Sequence, residues 1–234
     1  MLGNTDTVWF CMRSDIDFWC RWVIANLVGE LFGLGLVGVI GYLVIYFFGE
    51  PESVVYVLSF AVLVIGLGAL EGAIVGSAQA MVLRRRLPQL RTWVAATVLG
   101  AVVAWTLGML PGTLMSLDGS VSSVTPSEIS DTLQVVLAIL MGLVAGAILG
   151  FPQWLILKRY ISHAAWWVGA NALAWACGMP LVFFVAGAGS TEDVRSAALT
   201  ATIGLAAVGA LVGGIHGAFL VRLLAPLKGA RSSA

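Results

Sequence analysis

Charge is what this chain has least of. Only 10% of its 234 residues are Asp, Glu, Lys or Arg, while 60% are hydrophobic. A soluble domain carries about 25% charged residues, so a water-facing surface cannot be assembled from this stock. The formal net charge is zero, which removes the basic field that would hold nucleic acid. Three cysteines, Cys11, Cys20 and Cys177, fall in no CxxC or zinc spacing, which excludes a disulfide framework or zinc site and leaves them as reduced packing residues. Histidine is nearly absent too. His163 belongs to a polar turn and His216 to an apolar span, so paired axial haem ligation is disfavoured. No Walker loop, GxSxG, HExxH or paired acidic metal motif occurs. The sequence therefore assigns no catalytic residue, no metal ligand and no cofactor. The opening stretch MLGNTDTVWFCMRSDIDFW places three aspartates before the first long apolar run, unlike the basic start and short apolar core of a signal peptide.

Long apolar runs are what the chain has in abundance. Six of them cover residues 19–48, 54–83, 92–115, 132–157, 164–186 and 197–224. At roughly 1.5 Å per residue each reaches across a hydrocarbon core of about 30 Å. The first two exceed that length and predict tilt or protruding ends. Backbone groups in lipid must be satisfied internally, and these Gly- and Ala-rich runs lack the alternation of barrel strands, so helices are expected. The fold class that follows is all-α, an integral membrane six-helix bundle. A domain over 19–224 is flanked by short segments, 1–18 and 225–234.

The connections separate by charge. One set holds Glu50, Glu52, Asp118, Glu128, Asp131, Glu192 and Asp193 with a single base, Arg195; the other eleven basic residues lie on the opposite side. The positive-inside rule then predicts that both termini and both basic turns are cytoplasmic in a cell-membrane protein. The polar stretch from Pro111 to Asp131 is expected to be a mobile extracytoplasmic loop.

The chain also repeats itself. Sliding it by 74 residues superposes Gly72, Gly76, Gln79, Leu83, Arg85 and Trp93 on Gly146, Gly150, Gln153, Leu157, Arg159 and Trp167. Gly209, Gly213, His216, Leu220 and Arg222 fall in the same frame, and Trp22-Val23 opens the first span as Trp93-Val94 and Trp167-Val168 open the third and fifth. Three parallel two-helix pseudo-repeats follow, about 19–84, 92–159 and 164–222, with their axis along the membrane normal. Glycines four apart (68/72/76, 142/146/150 and 209/213/217) share one helix face and predict close helix seams. Gly29/Gly33, Gly100/Ala104/Gly108 and Ala170/Ala174/Gly178 supply matching small faces on the odd spans. The tryptophans at 22, 93, 166 and 167 are expected in an interfacial aromatic belt.

The phrase GxxQWxxL(K/R)R followed by WV, carried here by Gly150, Gln153, Trp154, Leu157, Lys158, Arg159, Trp167 and Val168, resembles a set of uncharacterised bacterial multi-pass membrane proteins with the same repeated hairpin. The resemblance covers about Val75 to Ala174 well and the rest weakly, and Ala80 departs from it where the second copy has Trp154. It implies no activity.

The remaining candidates are polar groups at membrane depth. Gln79, Gln153, His216, Asn26, Thr97 and Asn171 lie within about 5–10 Å of the basic interface by helical rise. They form either a polar layer opening to the cytoplasm or a set of interhelical hydrogen bonds. Glu30 lies about 12 Å inside Trp22, and Glu71 about 20 Å inside Arg84. Intramembrane carboxyls mark functional sites by default. Neither is repeated: Ala101 and Trp175 align with Glu30, and Ala145 and Val208 with Glu71. With no Lys or Arg at that depth, each must be protonated, hydrated or hydrogen-bonded. Arg84, Arg85, Arg86, Lys158 and Arg159 serve either lipid headgroups or topology alone. The leading function is small-solute or ion transport or permeation. The alternative is a structural or accessory subunit packed against lipid, a membrane-protein partner or a second copy. An intramembrane lipid-acting enzyme is the weakest reading.

Overall fold

The computed structural model describes residues 3–84, 86–87, 90–118, 130–188 and 193–232. Arg85, Glu128 and Glu192 lie outside the described residues, as do most of the acidic-side loop and the side chains of Cys11, Arg13, Lys228 and Arg231. Six helices follow one another: α1 Gly3–Phe48, α2 Val54–Leu83, α3 Leu90–Asp118, α4 Asp131–Leu157, α5 Trp166–Ala188 and α6 Val194–Ser232. Among the described residues there is no strand, and all six helices are long and apolar enough to cross a membrane. The predicted inner boundaries hold closely. The outer ends differ: α1 continues back through the segment before Trp19, and α6 continues past Leu224, so the two terminal segments extend the first and last helices.

Local chemistry sets several of the ends. Gly49 takes the left-handed conformation, φ +77°, that closes α1. Ser53 and Ser130 cap α2 and α4, their hydroxyls accepting from Tyr56 N and Leu133 N. Asp193 caps α6, accepting from the Ser196 hydroxyl and from the backbone N–H groups of Arg195 and Ser196. Those hydrogen bonds, the Ser196 hydroxyl's foremost, hold its exposed carboxyl below the usual carboxylate value.

The helices form a closed ring. Each packs against its neighbours in chain order, and α6 closes onto α1; the α3–α4 junction is the loosest of the six. Two kinds of seam alternate around the ring. In the first, glycines of the even helices meet the following odd helix, with α6 returning to α1. A Cβ on Gly76 would lie 3.2 Å from Val94 Cα, on Gly150 3.2 Å from Val168 Cα, and on Gly213 3.3 Å from Val23 Cα. In the second, glycines of the odd helices meet the next even helix: Gly29 against Val75, Gly100 against Leu149 and Gly178 against Val212. Close approach of backbones is what drives helix association where lipid is as apolar as the core. One expected row divides. Of Gly100/Ala104/Gly108 only Gly100 sits in a seam; a Cβ on Gly108 would have nothing within 4 Å, and both Gly108 and Ala104 border a cavity.

Candidate functional site

The polar side chains near the basic end of the bundle are brought together, buried and bonded to one another. Each odd helix carries a tryptophan and, one turn later, a polar residue that donates back to the tryptophan's carbonyl: Asn26 to Trp22 O at 2.7 Å, Thr97 to Trp93 O at 3.0 Å and Asn171 to Trp167 O at 2.9 Å. Each indole N–H in turn donates to a polar group on the even helix across the glycine seam. Trp93 Nε1 reaches Gln79 Oε1 at 3.0 Å, Trp167 Nε1 reaches Gln153 Oε1 at 2.9 Å, and Trp22 Nε1 reaches His216 Nδ1 at 2.9 Å. Gln79 Nε2 then donates to Asn26 Oδ1 at 2.8 Å. Gln153 Nε2 donates to Thr97 Oγ1 at 2.9 Å and to Gln79 Oε1 at 3.2 Å. The glycines make this possible, because Gly76, Gly150 and Gly213 let Thr97, Asn171 and Asn26 approach the facing backbone.

Three of the four tryptophans expected in an interfacial belt are not there. Trp22, Trp93 and Trp167 are fully buried and meet one another at ring-centroid distances of 6.4, 6.1 and 6.0 Å. Their N–H groups need acceptors once buried, and the repeated Gln, Gln and His provide them. Trp166, 65% exposed, alone faces outward as a belt residue would. Leu83, Leu157 and Leu220, each at most 1% exposed, pack with the trio toward the basic end. Sequence reasoning missed the trio's position, although the signal was present: tryptophan recurs one turn from the polar residue on all three odd helices.

His216 occupies the place that glutamine holds twice. Replacing it with glutamine is therefore expected to leave stability within the roughly 0.6 kcal/mol of an average interhelical hydrogen bond. His216→Leu leaves the Trp22 N–H buried without an acceptor and is expected to cost about 1–3 kcal/mol. Unfolding in mixed micelles checks both; equal losses in the two variants would remove the shared role.

The carboxyls lie deeper and are arranged differently. Glu71 on α2 packs against Gly33 on α1, where a Cβ would lie 2.8 Å from Glu71 Cγ. Its Oε2 accepts from Trp105 Nε1 on α3 at 2.5 Å. Trp105 reaches it by lying directly over Gly68. Glu30, one turn before Gly33, is 2% exposed. Its Oε2 is buried without a hydrogen-bond partner. Glu71 also borders a cavity of about 310 Å³ bounded by α1, α2, α3, α4 and α5. Ala101, Ala145 and Trp175, the aligned counterparts of the two glutamates, stand in its wall. Three wall residues, Gly108, Met141 and Phe183, are exposed, each on the acidic-side half of its helix. Gln79, Gln153 and His216 are not part of its lining.

Among the basic residues, Arg86 stands 5.2 Å over the Phe18 ring and Lys158 4.7 Å over the Trp154 ring, while Arg84 and Arg159 are exposed. Among the described residues no group of three His, Cys, Asp or Glu side chains forms a metal site. Comparison with protein-family models, curated proteins and solved structures yields no match. Six apolar helices closed into a ring, with apolar side chains turned outward, give the chain the build of a multi-pass membrane protein.

Proposed function

We propose that this chain is a small-solute or ion transport or permeation protein of the cell membrane, with its termini and basic turns in the cytoplasm. The observation that carries the reading is the cavity: it holds Glu71 in an otherwise apolar wall, and Glu30, whose Oε2 has no hydrogen-bond partner, lies one turn along α1 from the Gly33 that packs against Glu71. A carboxyl at that depth without a basic partner is costly and marks a pathway by default. The tryptophan trio and the bonded polar layer then close the cytoplasmic end. The same bonded layer supports the second reading, an accessory subunit without turnover, because every side chain in it that donates finds an acceptor on a neighbouring or its own helix.

Water access to the cavity separates the two. In full-length protein with Cys11, Cys20 and Cys177 replaced by serine, Ala145→Cys is expected to react with a membrane-impermeant thiol reagent applied from the extracytoplasmic face. The reaction should run at least tenfold faster than at a lipid-facing control, Leu140→Cys (Leu140 is 52% exposed). Equal rates would mean a dry cavity and favour the accessory reading. Reaction from the opposite face would reverse the assigned topology.

A further inference from the structure

We propose that the cavity is a binding site for a monovalent organic cation with an apolar, aromatic-sized body, its charge held by the Glu71 carboxylate. The inference deepens the transport reading and rests on the same cavity.

The argument begins with what the walls can offer. Apart from Glu71 and the indoles of Trp105 and Trp175, the lining side chains are hydrocarbon and thioether: Leu34, Ala101, Ala145, Leu149, Met179 and their neighbours. A sugar or an amino acid needs several convergent donors and acceptors, and an anionic group needs a base; no Lys, Arg or His stands in these walls. A bare divalent ion needs six or more oxygen ligands, which these walls do not supply. A small hydrated ion would set its water shell against apolar surface. A solute that brings its own apolar surface and one positive charge meets none of these difficulties.

The remaining features favour such a solute directly. Trp105 and Trp175 present aromatic surface, and a cation near an indole face is attracted by its quadrupole. Met109, Met141 and Met179 are soft and unbranched, so the wall can adapt to differently shaped bodies. A volume of about 310 Å³ is at the lower end of small-molecule sites. The Trp105 N–H orients the Glu71 carboxyl but brings no charge to neutralise it. Outside the lining, on the turn of α1 that packs against Glu71 and Val75, is a second, independent observation: Glu30, 2% exposed, with an oxygen that has no donor. None of α3, α4 or α5 places a competing base at the cavity.

Benzyltrimethylammonium is a suitable probe, because it cannot lose its charge, and benzylsulfonate is an anion of similar size and shape. Equilibrium dialysis of the full chain in nanodiscs is expected to show saturable binding of the cation and none of the anion. Glu71→Gln should weaken the cation at least tenfold, and Ala145→Leu, which fills the cavity and leaves the carboxyl intact, should abolish binding. Equal uptake of cation and anion by the unaltered protein would overturn the proposal without reliance on any variant; so would undiminished binding by a folded Glu71→Gln protein. Binding without flux of the cation into proteoliposomes would keep the site and remove the transport reading. Flux of other solutes with no cation binding would keep transport and overturn this substrate class.

Discussion

Leucine in place of Gly146 is expected to prevent the ring from closing between α4 and α5. A Cβ at this position would meet Asn171 O, and would come within 2.7 Å of Asn171 C and 2.8 Å of Ala172 Cα. Those atoms are helix backbone and cannot turn aside as a long side chain would. The only relief is to move the helices apart, which sacrifices the close packing that drives association in lipid. Overpacking costs about 1–3 kcal/mol and occasionally more. Gly146→Ala should fall within that range, and Gly146→Leu should exceed it, leaving little folded protein. Gly169, on the next helix, has nothing within 4 Å of a Cβ, so Gly169→Ala should be neutral. Tryptophan emission followed through a titration with sodium dodecyl sulfate measures all three. A Gly146→Leu protein that unfolds with the unaltered chain would show that the α4–α5 seam contributes nothing to stability.

Gln153→Leu is expected to have the next largest effect, through the polar layer. It removes the acceptor of Trp167 Nε1 and the donor to both Thr97 Oγ1 and Gln79 Oε1. Single interhelical hydrogen bonds average roughly 0.6 kcal/mol in membranes, but a buried donor left without an acceptor costs about 1–3 kcal/mol. A net loss of about 2–4 kcal/mol follows from the one orphaned N–H and the other lost bonds. Gln153→His should recover most of it, because histidine already accepts from the corresponding indole at position 216. Adding Gln79→Leu should cost less than it does alone, since the two glutamines share a bond. Additive losses in that cycle would show the glutamines to be independent.

The polar layer shows how far sequence reasoning reaches. Gln79, Gln153, His216, Asn26 and Asn171 were legible as a group because they recur at fixed offsets from glycine and tryptophan. Their depth followed from helical rise alone. Which donor meets which acceptor was not legible, because it depends on helix rotation and on which helices are neighbours. Trp22, Trp93 and Trp167 illustrate the cost of that gap. A tryptophan near a basic turn fits a lipid interface and a buried axis equally well by position; only the facing Gln79, Gln153 and His216 acceptors distinguish them. Trp105 is a harder case. Its bond to Glu71 joins residues 34 apart on different helices, and neither belongs to a repeated pattern.

The sequence by itself determined that the backbone is helical, how many helices there are and close to where the inner boundaries fall. These are local consequences: an apolar run in lipid must satisfy its own backbone, and glycine or a capping side chain stops it. It also marked the small residues on which helices meet. Only the tertiary structure decided the ring order, the meeting of three tryptophans inside the bundle, and the cavity that has Glu71 in its wall. The reason is that lipid and protein interior are equally apolar, so polarity does not tell a membrane helix which face to turn inward. Packing between neighbours makes that choice, and it exists only once all six helices are in place.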